Sequence, residues 1–387
     1  MRPWWILLAL ALGRIAFGYQ FQSVASMGPD LVPRFALSYA ALGAMIGAYM
    51  LPGAFAALPL GLAAGRFGDR VVLGSGLALM VAGAVVSALA GGPGGIGAGR
   101  LAAGVGAVAM IVLQGKVIAD WFEGKRFMLA ISVSVCSYPV GVGLAQLILP
   151  ALIEAQGWRA GFLSGAAFAA MSAVIFFLSY RAPPRAESHV LRLSLPSRHE
   201  CLLLVIAGLC WAAYTSGWAG YASYLPSAMA ATGQGLGTIA LAMTVATWGN
   251  VPFTLFGGGL AARFGGYRIF LIGTLSLVVG MLGTGLTGHA VPWSVLIGIC
   301  GSLHPGVIMA VGTLSARAEH RAVGMALFYS IYYLAGTLAP AVCGYAADLY
   351  GSPSGGLVGA GVVSLLALPA YMLHRTLARH ETMLVRA

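Results

Sequence analysis

The chain has 387 residues, of which 59% are hydrophobic and only 8% are charged, and its mean hydropathy is +0.90. A water-soluble domain carries about 25% charged residues, so the composition excludes an ordinary soluble protein. The formal net charge of +11 comes from basic residues spread along the whole chain, which does not favour a nucleic-acid groove.

Long apolar runs follow one another through the sequence, and each is long enough to cross the hydrocarbon of a membrane as a helix of about 20 residues. The first run is too long for a cleavable signal and contains Arg14. In chain order, the predicted spans are about 4–27, 38–60, 70–91, 97–119, 127–150, 159–180, 201–225, 236–258, 268–288, 292–314, 322–346 and 354–374.

The sequence repeats itself at a fixed offset. GLAAGRFG at 61–68 returns as GGLAARFG at 258–265, and the same offset aligns Pro29 with Pro226 without a gap. We therefore predict an all-α integral membrane fold of twelve helices in two pseudo-symmetric six-helix bundles, 1–180 and 201–387. The polar stretch 181–200, rich in proline and arginine, is the predicted linker between them. Such repeats typically expose one central site alternately to each side of the membrane.

Lysine and arginine set the predicted orientation. With the N-terminus inside, sixteen of the 21 basic residues fall in inner segments, and only Arg34 and Arg159 fall outside. We expect a multi-pass protein of the bacterial cytoplasmic (inner) membrane. Both termini and the linker 181–200 are expected to be cytoplasmic.

The loop after the second predicted span resembles the signature of the major facilitator superfamily, which runs Gly-x-Leu-Ala-Asp-Arg-x-Gly-Arg-Arg/Lys. Residues 61–70 read GLAAGRFGDR, so Gly65 replaces the family's aspartate and an acid follows at Asp69. Residues 100–107 are similar to the family's fourth-helix arginine motif, and 18–22 with 28–29 resemble cyanate- and nitroimidazole-type members. The resemblance implies the fold of that family and secondary transport by alternating access.

The resemblance also implies an inner gate, because the family's signature aspartate helps to close the inner side against the other half. Asp69, or Arg66 and Arg70 beside it, is expected to pair with charges at the inner ends of the second half. The candidates there are Arg317, Glu319 and Arg321.

Charged residues within the predicted spans are the first candidates for a binding site. A charged side chain at the bilayer centre costs roughly 2.5–3.5 kcal/mol. Arg14, Arg100 and Lys116 lie within spans, whereas no carboxylate lies near the middle of one, so an anionic ligand would supply the missing counter-charge. Arg14, midway along the first span, is the predicted anchor. The alternative is an arginine that bonds to backbone carbonyls or snorkels.

The other two cations allow different interpretations. Arg100 matches a family motif and lies near the outer end of its span, so solute binding and a structural role are both open. Lys116 has Asp120 one helical turn further on the same face, and we interpret that pair as structural.

Uncharged polar residues add further candidates for solute binding. Tyr19 and Gln22 share a polar face of the first span that suits a wet cavity or hydrogen bonds between helices. Asn250, in the eighth span, has the same two interpretations. Tyr329 and Tyr333 belong to a tyrosine cluster in the eleventh span, which we expect to face the cavity because buried hydroxyls need partners.

His304 precedes Pro305 inside the tenth predicted span. Proline lacks an N–H, so the helix should kink there and free the carbonyl of Gly301. A histidine titrates near neutral pH and could carry a coupling proton. The alternative is a neutral histidine bonded to the distorted backbone.

The sequence thus predicts a secondary transporter of a small anionic solute. Its other expected partners are the lipid bilayer and a coupling proton or counter-transported anion, and we expect a monomer. No P-loop and no catalytic or metal-binding cluster is evident, so neither an enzyme nor a cofactor is expected. One alternative is a proton-coupled drug exporter, which should need a buried carboxylate. The other is a transporter-like solute sensor, which should need an effector segment.

Overall fold

The computed structural model describes residues 2–122, 124–180, 195–317 and 320–384, and all regular secondary structure in these ranges is helical. Helices satisfy their backbone hydrogen bonds internally, which the membrane interior demands of apolar runs. The chain divides into two compact units, Met1–Val190 and Leu191–Ala387. Residues 181–194 of the predicted linker lie outside the described residues, and a helix begins at Arg198.

Eight helices in the first unit account for its six predicted spans. The second predicted span is divided, because helix α3 ends before Pro52, which has no N–H to donate to the preceding turn. The helices are α1 (Arg2–Ser26), α2 (Gly28–Phe35), α3 (Tyr39–Ala48), α4 (Gly53–Phe67), α5 (Asp69–Leu89), α6 (Pro93–Trp121), α7 (Gly124–Gln156) and α8 (Trp158–Ser179).

Eight helices likewise form the second unit. The tenth predicted span is divided here, with Pro305 as the first residue of the second piece. The helices are α9 (Arg198–Ala231), α10 (Leu236–Phe264), α11 (Gly266–Thr287), α12 (Ala290–Ile299), α13 (Pro305–Leu314), α14 (Arg321–Tyr350), α15 (Ser354–Leu365) and α16 (Ala367–Leu384).

Within the described ranges, ten helical segments are long and apolar enough to cross a membrane. The bent pair Gly237–Thr254 and Phe256–Phe264, which turns by 49°, makes an eleventh. Helices α12 and α13 have ten residues each, too few for either to cross alone. The predicted class of all-α multi-pass membrane protein is confirmed. The kink expected at Pro305 is a break of five residues, 300–304.

Glycines bring the helices of the first unit into direct backbone contact. A Cβ atom on Gly106 of α6 would collide with the carbonyl oxygen of Gly76 in α5. One on Gly141 of α7 would collide with the carbonyl oxygen of Ile15 in α1. Close approach of this kind lets neighbouring helices pack in a membrane, where lipid removes the hydrophobic drive between them. It also places polar side chains of α1 against α6 and α7.

Candidate functional site

Arg14 lies at the midpoint of α1 and is only partly buried. Its Nη1 atom lies 3.4 Å from the amide oxygen of Gln114 in α6, and its Nε is buried without a hydrogen-bond partner. In the described part of the chain, no carboxylate lies within 4.0 Å of this guanidinium. A guanidinium carries five N–H donors, so one long hydrogen bond leaves most of its donor capacity and its whole charge uncompensated.

Gln114 is fixed by a second contact. It is 2% exposed, and its Nε2 donates to the hydroxyl of Ser134 in α7. A guanidinium can only donate, so the amide must turn its oxygen to Arg14 and its nitrogen to Ser134. The three residues therefore form a directed polar chain across α1, α6 and α7 in an otherwise apolar interior.

Arg100 has a very different environment. It is 2% exposed, and its guanidinium carbon lies 4.9 Å above the ring of Tyr49. The guanidinium donates at 2.6–3.3 Å to four backbone carbonyls, two in α1 and two in α3, which belong to Gln20, Phe21, Met45 and Ile46.

The two α3 carbonyls to which Arg100 donates belong to the last turn of that helix, where few helical N–H groups remain as partners. The guanidinium therefore caps α3 from α6 and ties it to α1. Of the two interpretations that the sequence left open, this geometry favours the structural one.

Gln20 was not among the predicted site residues. It is 4% exposed, and its Nε2 donates to the carbonyls of Met80 in α5 at 3.2 Å and Gly165 in α8 at 3.0 Å. Its Oε1 accepts from the hydroxyl of Tyr49 at 3.1 Å. Gln20, Tyr49 and Arg100 also line a small cavity. In the sequence, the only sign of Gln20 as a site residue was its amide, a group that is costly to place inside a membrane span.

Tyr19 and Gln22 are buried in the first unit. The Tyr19 hydroxyl lies 2.8 Å from the hydroxyl of Ser164 in α8, and its ring packs at 4.9 Å between centroids against Phe168. The ring also packs on Leu149 of α7. For Tyr19, these contacts favour hydrogen bonding between helices over a wet cavity.

The acid of the predicted gate is paired within its own unit. Asp69, the first residue of α5, is buried, and both its carboxylate oxygens lie 2.8 Å from Nζ of Lys116. The N-terminal end of α5 also favours a negative charge there. Arg66 and Arg70 are exposed, and Nη2 of Arg70 donates to the carbonyl of Phe177 at 3.2 Å. The signature loop is therefore anchored to α6 and α8.

The predicted gate partners in the second half are only partly described. Arg317 is exposed, Glu319 lies outside the described residues, and so does the side chain of Arg321. The pairing of Asp69, Arg66 or Arg70 with these residues stays a prediction.

Glu200 organises the start of α9 and was missed because it fell at the end of the predicted linker. It forms a capping box with Ser197, whose hydroxyl accepts from the Glu200 N–H at 3.2 Å. Its carboxylate also accepts the backbone N–H of Arg317 at 2.8 Å and lies 2.9 Å from Nδ1 of His320. The Ser-x-x-Glu spacing was the available signal.

His304 occupies the break between α12 and α13 and is fully buried. Its ring lies edge-on to Tyr214 at 4.8 Å and to Phe270 at 5.8 Å. It faces the Gly301 backbone, yet neither ring nitrogen makes a hydrogen bond of normal geometry with the described residues. The surrounding rings bury the imidazole beside the Gly301 backbone.

Asn250 of α10 joins two elements beside that break. Its Nδ2 donates to the Tyr214 hydroxyl at 3.2 Å, and its Oδ1 accepts from Thr254 at 3.0 Å. The Thr254 hydroxyl also lies 3.0 Å from the freed carbonyl of Ser302. These contacts tie α10 to α9 and to the broken span.

The predicted tyrosine pair of the eleventh span is divided between two environments. Tyr329 is 39% exposed, whereas Tyr333 is 5% exposed. Tyr332 lies between them, with ring centroids 6.3 Å from Tyr329 and 5.0 Å from Tyr333. Of these three tyrosines, only Tyr333 is buried.

The helical units and their apolar spans define a multi-pass membrane protein. In the described ranges, no group of three or more potential metal ligands comes together. Residues 10–214 and 204–383 each match the profile of the Major Facilitator Superfamily, and the chain belongs to this family.

Relatives and a solved structure agree with this assignment. The chain is 27% identical over 165 residues to the gallate transporter of Pseudomonas putida, covering 42% of this chain and 36% of the relative. It is 24% identical over 191 residues to the hexuronate transporter of Escherichia coli (strain K12), covering 48% and 43%. These matches span less than half of the relatives' length. A bacterial homologue of the human lysosomal transporter Spinster, inward-facing and unoccupied, has a TM-score of 0.76 at 17% identity, covering 98% and 97%.

Proposed function

We propose that this transporter carries a small organic anion and that Arg14 binds the carboxylate of its solute. The proposal is carried by the contrast between two guanidinium groups in one unit. Arg100 donates to four carbonyls, whereas among the described residues Arg14 makes one contact, at 3.4 Å, and its buried Nε has no partner. A cation placed in a membrane interior is normally paired, so unused donors at mid-helix point to a ligand.

The relatives support a carboxylate as that ligand. Gallate and hexuronates are both carboxylates, and arginine binds this group through two parallel hydrogen bonds. The proposed orientation of the chain in the inner membrane is the one inferred from the basic residues, with both termini on the cytoplasmic side. Asn250, Tyr333 and Tyr329 stay as proposed solute contacts, and His304 as the proposed carrier of a coupling proton. Arg100 and Tyr19 belong to the scaffold.

The test compares Arg14→Gln and Arg14→Lys with wild type in proteoliposomes, using labelled gallate and glucuronate as probes. Arg14→Gln should abolish uptake of whichever acid the wild type carries, while the protein stays inserted and folded. Arg14→Lys should weaken binding without abolishing it, because lysine keeps the charge but lacks the planar fork.

A ligand that binds the native state raises its melting temperature, so a thermal-shift panel supports the transport assay. The panel contains gallate, glucuronate, xylose and tetraphenylphosphonium. Stabilisation by an acid that is lost in Arg14→Gln supports the proposal. Stabilisation by the lipophilic cation alone would favour a drug exporter. Wild-type affinity and uptake rate in Arg14→Gln would refute the role of Arg14.

A further inference from the structure

The contact between Arg14 and Gln114 is weak for a cation at the midpoint of a membrane span. The N···O distance of 3.4 Å lies beyond the 2.7–3.2 Å range of most N–H···O hydrogen bonds, and only one is made. A carboxylate would offer two oxygens and a full negative charge in place of one neutral oxygen. Any carboxylate that reaches Arg14 should therefore displace the amide oxygen.

The amide is nevertheless held in position to make that contact. Gln114 is almost fully buried and its Nε2 donates to Ser134, so exchange of the two amide atoms would set an NH2 group against the Arg14 guanidinium and lose that contact. The side chain thus presents an acceptor, and never a donor, to the cation. A fixed Asp or Glu here would instead form a permanent ion pair and compete with the solute.

From this arrangement we infer that Gln114 is an internal stand-in for the solute. Its oxygen covers the Arg14 guanidinium in the empty protein and gives way to the solute carboxylate. This inference rests on the proposed function of Arg14. It assigns Gln114, with Ser134 as its positioning residue, a part in setting solute affinity.

The inference differs from a purely structural role in the sign of one effect. Gln114→Met removes the competing oxygen at similar volume, so acid should bind more tightly than to wild type, by up to about tenfold. If Gln114 only supported Arg14, the same variant should bind more weakly. Gln114→Glu adds a carboxylate at the same place, so acid binding should fall by at least about tenfold.

A second measurement does not depend on knowing the solute. Phenylglyoxal modifies unpaired guanidinium groups, and mass spectrometry reports the rate at Arg14 in full-length, solute-free protein. The rate should rise in Gln114→Met and fall at least about threefold in Gln114→Glu, because an ion pair shields the group. Gln146→Glu is the control, since it buries a new carboxylate elsewhere in α7, where Gln146 is 3% exposed. It should leave the Arg14 rate unchanged.

The outcomes separate the two proposals. If Arg14→Gln keeps wild-type transport, the proposed function fails. If Arg14→Gln loses transport while both Gln114 variants keep the wild-type Arg14 modification rate, only the stand-in role is overturned. Should Gln114→Glu fail to fold, Gln114→Met decides alone, because slower modification or weaker acid binding in that variant contradicts the inference.

Discussion

Replacement of Arg100 by glutamine tests the structural role that its contacts indicate. Hydrogen bonds from a charged donor contribute roughly 1.5–3 kcal/mol each. The three contacts at 2.6, 2.9 and 3.0 Å would then amount to roughly 5–9 kcal/mol. Removal of the charge recovers roughly 3 kcal/mol of insertion cost, which leaves a net loss of about 2–6 kcal/mol.

A loss of that size should appear as a lower melting temperature of the detergent-purified protein, by at least about 4 °C. Arg100→Lys should fall between glutamine and wild type, since an ammonium has three donors and cannot serve four carbonyls in one plane. Arg159→Gln is the matched control. Arg159 is exposed and donates to a single carbonyl, that of Ala88 at 3.1 Å, so its loss should change stability by less than about 1 kcal/mol.

The structural role would be refuted if the Arg100→Gln protein had the melting temperature of wild type but no longer bound the acid that wild type binds. Such a protein would place Arg100 in the binding site and would show that the four carbonyls find other partners. A protein that melts early and retains acid affinity in its folded fraction supports the scaffold role.

Three further predictions concern the Asp69–Lys116 ion pair, the side chain of His304 and the membrane topology. Asp69→Asn should free Lys116, which would then react faster with an amine-specific label; an unchanged rate would mean that the ion pair at 2.8 Å is absent in the membrane. His304→Phe should leave a folded protein that binds solute but no longer acidifies the vesicle lumen during uptake, and retained proton movement would exclude the coupling role. A reporter fused after Arg192 should be active only on the cytoplasmic side, and periplasmic activity would invert the predicted topology.

The positions of the spans could be predicted because length and hydropathy alone decide where a helix can cross the membrane. Every predicted span contains helix in the structure. The breaks were harder. Pro305 indicated one of these breaks. The length of that break, five residues, depends on packing against α9 and α11 through Tyr214 and Phe270. The end of α3 depends on Arg100 as its cap, a partner more than 50 residues away.

Pairings were the least predictable part of the candidate site. Lys116 has Asp120 one turn away in sequence, yet its contacts at 2.8 Å are with Asp69, 47 residues earlier. A helical wheel gives neighbours on one helix only, whereas α5 and α6 touch through glycine backbone and bring their charges together. The position of Arg14 at the middle of a span could be predicted from the number of residues on either side of it. Its contact with Gln114 could not be predicted, because that contact joins two helices.

The guanidinium groups of Arg14 and Arg100 show how the same side chain can serve two purposes in one unit. Both carry the cost of a cation in the membrane, which evolution must offset with interactions of similar size. Around Arg100 the protein supplies them all, from two carbonyls of α1 and two in the last turn of α3. Around Arg14 it supplies one neutral oxygen at 3.4 Å. The shortfall at Arg14 is stable only if something outside the chain completes it for part of the time, and an anionic solute is the partner with the right charge and geometry.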